Sequence, residues 1–362
     1  MIDRRVTRVG RRGFLMGAGS VLAAWGLAGC ARGAAGATGG TVRGDIEVVT
    51  DPAGGVDQPT GVFGAFGDIW FTSIANGRIG RVVGATGRIE TFADPAGGIA
   101  LPANLFPGAD GRLWFTCLGS NRLGALDPRA PDIAASIRTY ADPRLDKPVA
   151  LKAGPDRRLW LTLRGSASVG ALDPTAPDPL ATLQTFTAPS IVEPSALFVH
   201  PSGGVWWVNG STGTLGTLDS RAPDPTTTIR SLGPWPGWGT PRAWAMDAEG
   251  RLWLTTQDRP GLLAFDPRRL DEPEPFSWWT DDRLGTPDGV WFGGDGAVWA
   301  VDTAKNAIVR FDPRGVDADR WSFYGAPPQV QGPFDIKSAE PTDGWLWFTN
   351  KDGNSLARIR TT

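Results

Sequence analysis

One tryptophan pattern recurs seven times and leaves few folds open to this chain. The tryptophan stands in a short apolar run after a Gly-containing turn: Ile69-Trp70-Phe71-Thr72, Leu113-Trp114-Phe115-Thr116, Leu159-Trp160-Leu161-Thr162, Val205-Trp206-Trp207-Val208, Leu252-Trp253-Leu254-Thr255, Val298-Trp299-Ala300-Val301 and Leu346-Trp347-Phe348-Thr349. Successive tryptophans lie 44, 46, 46, 47, 46 and 48 residues apart. Nine residues after each stands an aliphatic residue: Ile79, Leu123, Val169, Leu215, Leu262, Ile308 and Leu356. Eleven to fourteen residues before each stands a proline: Pro59, Pro102, Pro148, Pro194, Pro241, Pro287 and Pro333.

Three columns in seven copies define a repeat with a period in the mid-forties, the length of a propeller blade. Each copy supplies four short strands broken by Gly, Pro and Asp. Strand a follows the proline (Ala103–Phe106), strand b holds the tryptophan, strand c resembles Arg122–Leu126 and strand d Ile137–Tyr140. Asp110-Gly111 and Asp343-Gly344 suit hairpin turns, because these residues accept a positive φ cheaply. No segment has apolar residues at helical spacing, which argues against a helical solenoid. The 49 glycines and 31 prolines would suggest low complexity without a period, but 17 tryptophans and 41 % apolar residues imply a packed core. The chain enters the repeat with a d-type strand, residues 45–49, and leaves it after a c-type strand, residues 355–359. One blade shared by the two ends closes the ring and covers its edges. The expected fold is therefore an all-β, seven-bladed propeller over residues 45–362, with four antiparallel strands per blade.

The N-terminal residues read as an address. Arg11-Arg12 precede an apolar stretch ending in Leu27-Ala28-Gly29-Cys30. That stretch is too short to span the ~30 Å hydrocarbon core of a bilayer. Residues 1–29 read as a twin-arginine type signal peptide with a lipobox, Cys30 as its lipidation site, and residues 30–44 as a flexible tether. The expected location is the outer face of the cytoplasmic membrane, or a periplasmic or outer-membrane lipoprotein. With a formal net charge of −2 there is no basic footprint for nucleic acid. The only two cysteines, Cys30 and Cys117, cannot make a disulfide framework.

The strings Pro-x-x-apolar, Asp-Gly-apolar-Trp-Phe-Thr and Arg-Ile-Gly-Arg, clearest in Trp70-Phe71-Thr72 and Arg78-Ile79-Gly80-Arg81, resemble the streptogramin (virginiamycin B) lyase family. The resemblance covers residues 45–361 and implies the seven-bladed fold. It also implies a divalent cation, typically Mg²⁺, and elimination at the ester linkage of a cyclic depsipeptide. The family places a histidine directly after the strand-a proline in two adjacent blades, and a glutamate three residues after the strand-b tryptophan. Here the first column reads Thr60, Ala103, Val149, Ser195, Arg242, Asp288 and Phe334. The second reads Ser73, Cys117, Leu163, Asn209, Thr256, Asp302 and Asn350. Neither contains histidine, and the single histidine, His200, falls near an a–b turn on the face away from the mouth. A histidine base is therefore missing, and the family's lyase mechanism is not expected to carry over.

Blade 6 alone is charged in both columns. Asp288 and Asp302 are symmetric about Asp295, so an unbroken hairpin sets them opposite one another, Cβ atoms ~4.5–5.5 Å apart. Carboxylates so placed need a cation between them, a proton, or a basic bridge, for which Arg242 of blade 5 is placed. Two readings stand together: a structural Asp–Arg cluster, or a ligand site with Asp288 and Asp302 as metal ligands. Asn350, Trp235 and Trp238 complete the candidate ligand-binding set. The two tryptophans lie in the loop entering strand a of blade 5, where they either stack on a flat ligand or plug the loop. Cys117 reads as a small buried hydrophobe. The expectation is a monomeric propeller that binds a small-molecule or glycan ligand, or an envelope protein, at its mouth. The alternatives are a divalent-metal-dependent lyase or hydrolase acting on an antibiotic, lactone or glycan, and an interaction scaffold in the cell envelope.

Overall fold

The structure is a computed structural model that describes residues 43–362, apart from residues 235, 236, 238, 273, 274, 340 and 341 and the side chains of residues 317 and 318. Seven four-stranded antiparallel sheets follow one another, and each strand a packs against those of the two neighbouring blades, which closes a ring. Strands a are Pro59–Ala65, Pro102–Pro107, Pro148–Ala153, Pro194–Val199, Pro241–Met246, Pro287–Phe292 and Pro333–Ser338. Strands b are Asp68–Ser73, Leu113–Cys117, Leu159–Leu163, Gly204–Asn209, Leu252–Thr256, Val298–Asp302 and Trp345–Asn350. The ring is sealed as expected. Ile46–Thr50 pairs antiparallel with Ser355–Arg360, Val48 opposite Ala357, and Arg358 reaches Glu47 at 2.6 Å.

The tryptophan column is the structural centre of each blade. Trp70, Trp114, Trp160, Trp253 and Trp299 are fully buried. A buried indole needs a partner for its N–H. In four blades an aspartate of the preceding a–b turn supplies it: Asp110 for Trp114 (3.1 Å), Asp156 for Trp160 (3.1 Å), Asp247 for Trp253 (2.9 Å) and Asp295 for Trp299 (3.1 Å). The other side of the ring stacks on an aromatic of strand d, as Trp114 on Tyr140 (5.3 Å) and Trp253 on Trp279 (5.1 Å). Gly80 and Gly124 on strand c are compulsory, because a Cβ there would stand 2.1 and 2.0 Å from the rings of Phe71 and Phe115.

Strands a and b slip register in every blade, between the proline and the residue three after it. The bulge leaves a main-chain N–H without a ladder partner, and the threonine two residues after the tryptophan takes it. Thr162 Oγ1 accepts from Ala150 N (3.0 Å) and donates to the carbonyl of Ser195 in the next blade (2.7 Å). Thr116 links Asn104 to Val149, Thr255 links Ala243 to Asp288, and Thr349 links Asp335 to Thr60 in the same way. Valines 208 and 301 occupy this position in blades 4 and 6.

One-turn helices appear where none was expected, at Ile133–Ser136, Pro179–Thr182 and Pro225–Thr228. They are too short to show a period. Their signal is the capping aspartate, Asp132, Asp178 or Asp224, whose carboxylate accepts from the first turn. Among the described residues, no helix is long and apolar enough to cross a membrane.

Candidate functional site at the channel mouth

The residue after each strand-a proline faces a single cavity on the ring axis. Thr60, Ala103, Val149, Ser195, Arg242, Asp288 and Phe334 all line it, and its volume is about 300 Å³. The bulge makes this convergence possible, since it turns the start of each strand a out of the ladder.

Asp288 is the buried charge of the mouth, 7 % exposed. Arg242 Nε donates to its Oδ1 at 3.1 Å across the boundary of blades 5 and 6. Burial nonetheless pushes the carboxyl up to about 6; Arg242 opposes the rise and the charge of Asp335 adds to it. The Arg242 guanidinium also lies over the Phe334 ring, 5.6 Å from its centroid.

Asp302 departs from the expected geometry. Around Asp295 the hairpin runs in register, Phe292 opposite Val298 and Val290 opposite Ala300, but the bulge then sets Pro287, not Asp288, opposite Asp302. Asp302 is fully buried and accepts from the main-chain N–H groups of Gly285 (2.7 Å), Thr286 (2.9 Å) and Lys305 (3.1 Å). It clamps the loop that enters strand a. Asn350, also fully buried, does the same in blade 7, accepting from Gln331 N (3.1 Å) and donating to Gln329 O (2.8 Å). Ser73 and Asn209 repeat the pattern on Asp57 and Val192. In these four blades the second column thus clamps a loop behind the mouth.

This donor set does not suit a divalent cation. Arg242 already neutralises Asp288, and a metal there would face a guanidinium. Both oxygens of Asp302 are committed to the loop. Among the described residues no three metal-ligating side chains cluster. Trp235, Trp238 and Cys30 lie outside the described residues. Cys117 is buried, and burial pushes its thiol up to about 12, which leaves it inert as a nucleophile. His200 bonds Ser202 Oγ (2.6 Å) and the Gly250 carbonyl (3.2 Å).

Sequence reasoning missed three charged residues below the mouth: Asp335, Lys337 and Lys152. They stand two and four residues after a strand-a proline. That spacing was their only signal. Lys337 Nζ donates to Asp335 Oδ1 at 2.6 Å.

Residues 41–257 match the family described as the Virginiamycin B lyase family, more than half of the chain. Blade 6, with Asp288, lies beyond that match. No curated protein sequence matches the chain significantly. A catalytically inactive virginiamycin B lyase from Staphylococcus aureus with quinupristin is 16 % identical, at TM-score 0.72 over 88 % of this chain and 99 % of that one. A streptogramin B lyase is 18 % identical, at TM-score 0.70 over 88 % and 98 %. The Kuenenia stuttgartiensis hydrazine synthase is 11 % identical, at TM-score 0.64 over 87 % and 97 %. These likenesses share a fold across different chemistries, so the family rests on the sequence match. The chain belongs to the virginiamycin B lyase family.

Proposed function

We propose that this chain is an exported, lipid-anchored binding propeller whose axial mouth takes a small molecule. The observation that carries the proposal is the cavity itself. All seven blades contribute to it, and a buried carboxylate and a guanidinium meet in its wall. A few convergent polar groups in a largely apolar concavity are the general form of a ligand site. Export and anchoring rest on Arg11-Arg12, the apolar run after them, and Cys30. Thermal-shift screening of the full-length protein against depsipeptides, lactones and oligosaccharides tests the mouth. A ligand is expected whose affinity falls in Arg242→Ala and in Phe334→Ala. Hits that bind both variants as well as the parent would place the site elsewhere.

Asp288 favours a second reading, that the mouth catalyses. A carboxyl near 6 gives up and takes a proton close to neutrality, as an acid–base group must. Turnover of a screened ester or lactone that Asp288→Asn abolishes, with binding retained, would support it. Equal turnover by that variant would dismiss it.

A further inference from the structure

Beneath the mouth, the side chains four residues after the strand-a prolines form a belt around the axis. Phe63 and Phe106 pack in it with centroids 4.5 Å apart. Lys152 of blade 3 reaches over both, its Nζ 4.4 Å from the Phe106 ring and 5.3 Å from the Phe63 ring. An aromatic face attracts an ammonium but offers it no acceptor. The second lysine of the belt is treated differently. Lys337 Nζ is held by Asp335 Oδ1 (2.6 Å) and the Ile336 carbonyl (2.9 Å). Asp335 also accepts from Ile336 N (2.9 Å) and Val62 N (3.2 Å), so each of its oxygens already has a partner. Among the described residues, no carboxylate, hydroxyl or carbonyl oxygen accepts from Lys152.

The residue types sharpen the contrast. The chain has only five lysines, Lys147, Lys152, Lys305, Lys337 and Lys351, against 31 arginines. Two stand in the belt, and Lys351 lies over Phe334 at the mouth, 5.8 Å from its ring. A compact ammonium on a flexible stem meets an anionic group as a point charge. Among the described residues, the belt holds one cation more than it pairs. Burial and the neighbouring Lys337 charge push Lys152 down to about 7, against the opposing pull of the Asp335 charge.

We propose that Lys152 anchors the carboxylate of a small monocarboxylic ligand entering by the mouth, its apolar body lying against Phe63 and Phe106. This rests on the channel as the binding site. Benzoate is a suitable probe, with benzyl alcohol as its uncharged counterpart, titrated into full-length protein carrying ¹³C,¹⁵N-lysine. Only five lysine signals need be resolved, and Lys152→Met and Lys152→Arg assign the one that matters. The expected result is that benzoate moves the Lys152 titration upward by about one pH unit, which is the same coupling as a roughly tenfold gain in affinity. Benzoate affinity then falls roughly tenfold in Lys152→Met, survives in Lys152→Arg, and has no parallel with benzyl alcohol. If benzoate shifts the signal of Lys351, which lies over Phe334 at the mouth, but leaves Lys152 unmoved, the anchor is wrong while the mouth remains the site. If benzoate perturbs neither, the anchor is wrong, and the mouth stands or falls by the Arg242 and Phe334 variants. Should Lys152→Met fail to fold, the Lys152 signal of the parent decides.

Discussion

Asp302 lies opposite Pro287, and its carboxylate holds the backbone of Gly285 and Thr286 at 2.7 and 2.9 Å rather than facing the mouth. Its charge therefore serves the fold. Removing it leaves buried N–H groups without an acceptor, which costs about 3 kcal/mol. Asp302→Ala should lose that much stability in urea unfolding and Asp302→Asn less, since one amide oxygen remains. A variant as stable as the parent would show that water replaces the clamp.

Asp288 makes stability depend on pH in a direction opposite to most carboxylates. Its folded-state value of about 6 lies above the ~3.9 of an unfolded aspartate, so the folded form binds the proton more tightly. The burden is present in full above pH 6 and disappears as the pH falls below ~4, and its size is about 3 kcal/mol. Asp288→Asn should be more stable than the parent at pH 7.5, by less than that because the Arg242 bond weakens. The gap should close towards pH 4. Urea midpoints measured across this range check it, and a gap that widens on acidification would refute it.

The joint between blades 4 and 5 lacks the threonine that links blades 2, 3, 5 and 7 to their successors. Val208 stands there, 1 % exposed. Val208→Thr is nearly isosteric and brings a donor towards the carbonyl of Arg242, as Thr162 and Thr255 do for Ser195 and Asp288. It should stabilise the protein by about 1 kcal/mol, whereas Thr255→Val should destabilise it by a similar amount. Differential scanning calorimetry reads both, and a destabilised Val208→Thr would mean that its hydroxyl is buried without partners.

Anchoring has its own test. Cys30→Ala should move the protein from the membrane fraction to the soluble exported fraction, because Cys30 is the sole candidate lipid site. Continued sedimentation with membranes would remove the lipobox from the proposal.

The blade count, the four-strand order and the shared seventh blade were legible because each rests on a column repeated seven times. The tryptophan, the aliphatic residue nine later and the proline before them mark strands whatever else varies. The site was less legible, and the reason is local. Alternation counted outward from Asp295 places Val290 and Trp291 correctly and fails only at Asp288, where the bulge inserts a residue. The proline that opens the strand was the available sign of that slip. Arg242 and Asp288 meet because they share a column in consecutive blades, which the sequence carries. The role of Lys152 depends on a side chain reaching over two neighbouring blades, and no spacing within one repeat encodes that.

Thr116, Thr162, Thr255 and Thr349 grip the mouth through the carbonyls of Val149, Ser195, Asp288 and Thr60. These four residues have no side-chain chemistry in common, and every amino acid brings the same carbonyl. The joint is thus blind to what projects into the axis. A valine, a hydroxyl, a carboxylate or an imidazole can be exchanged there while the frame around it stays fastened. Asp288 stands in the column where the resemblance puts histidines, and it reads as an interchangeable insert in a common mount. A propeller fastened in this way can be refitted for new chemistry one insert at a time.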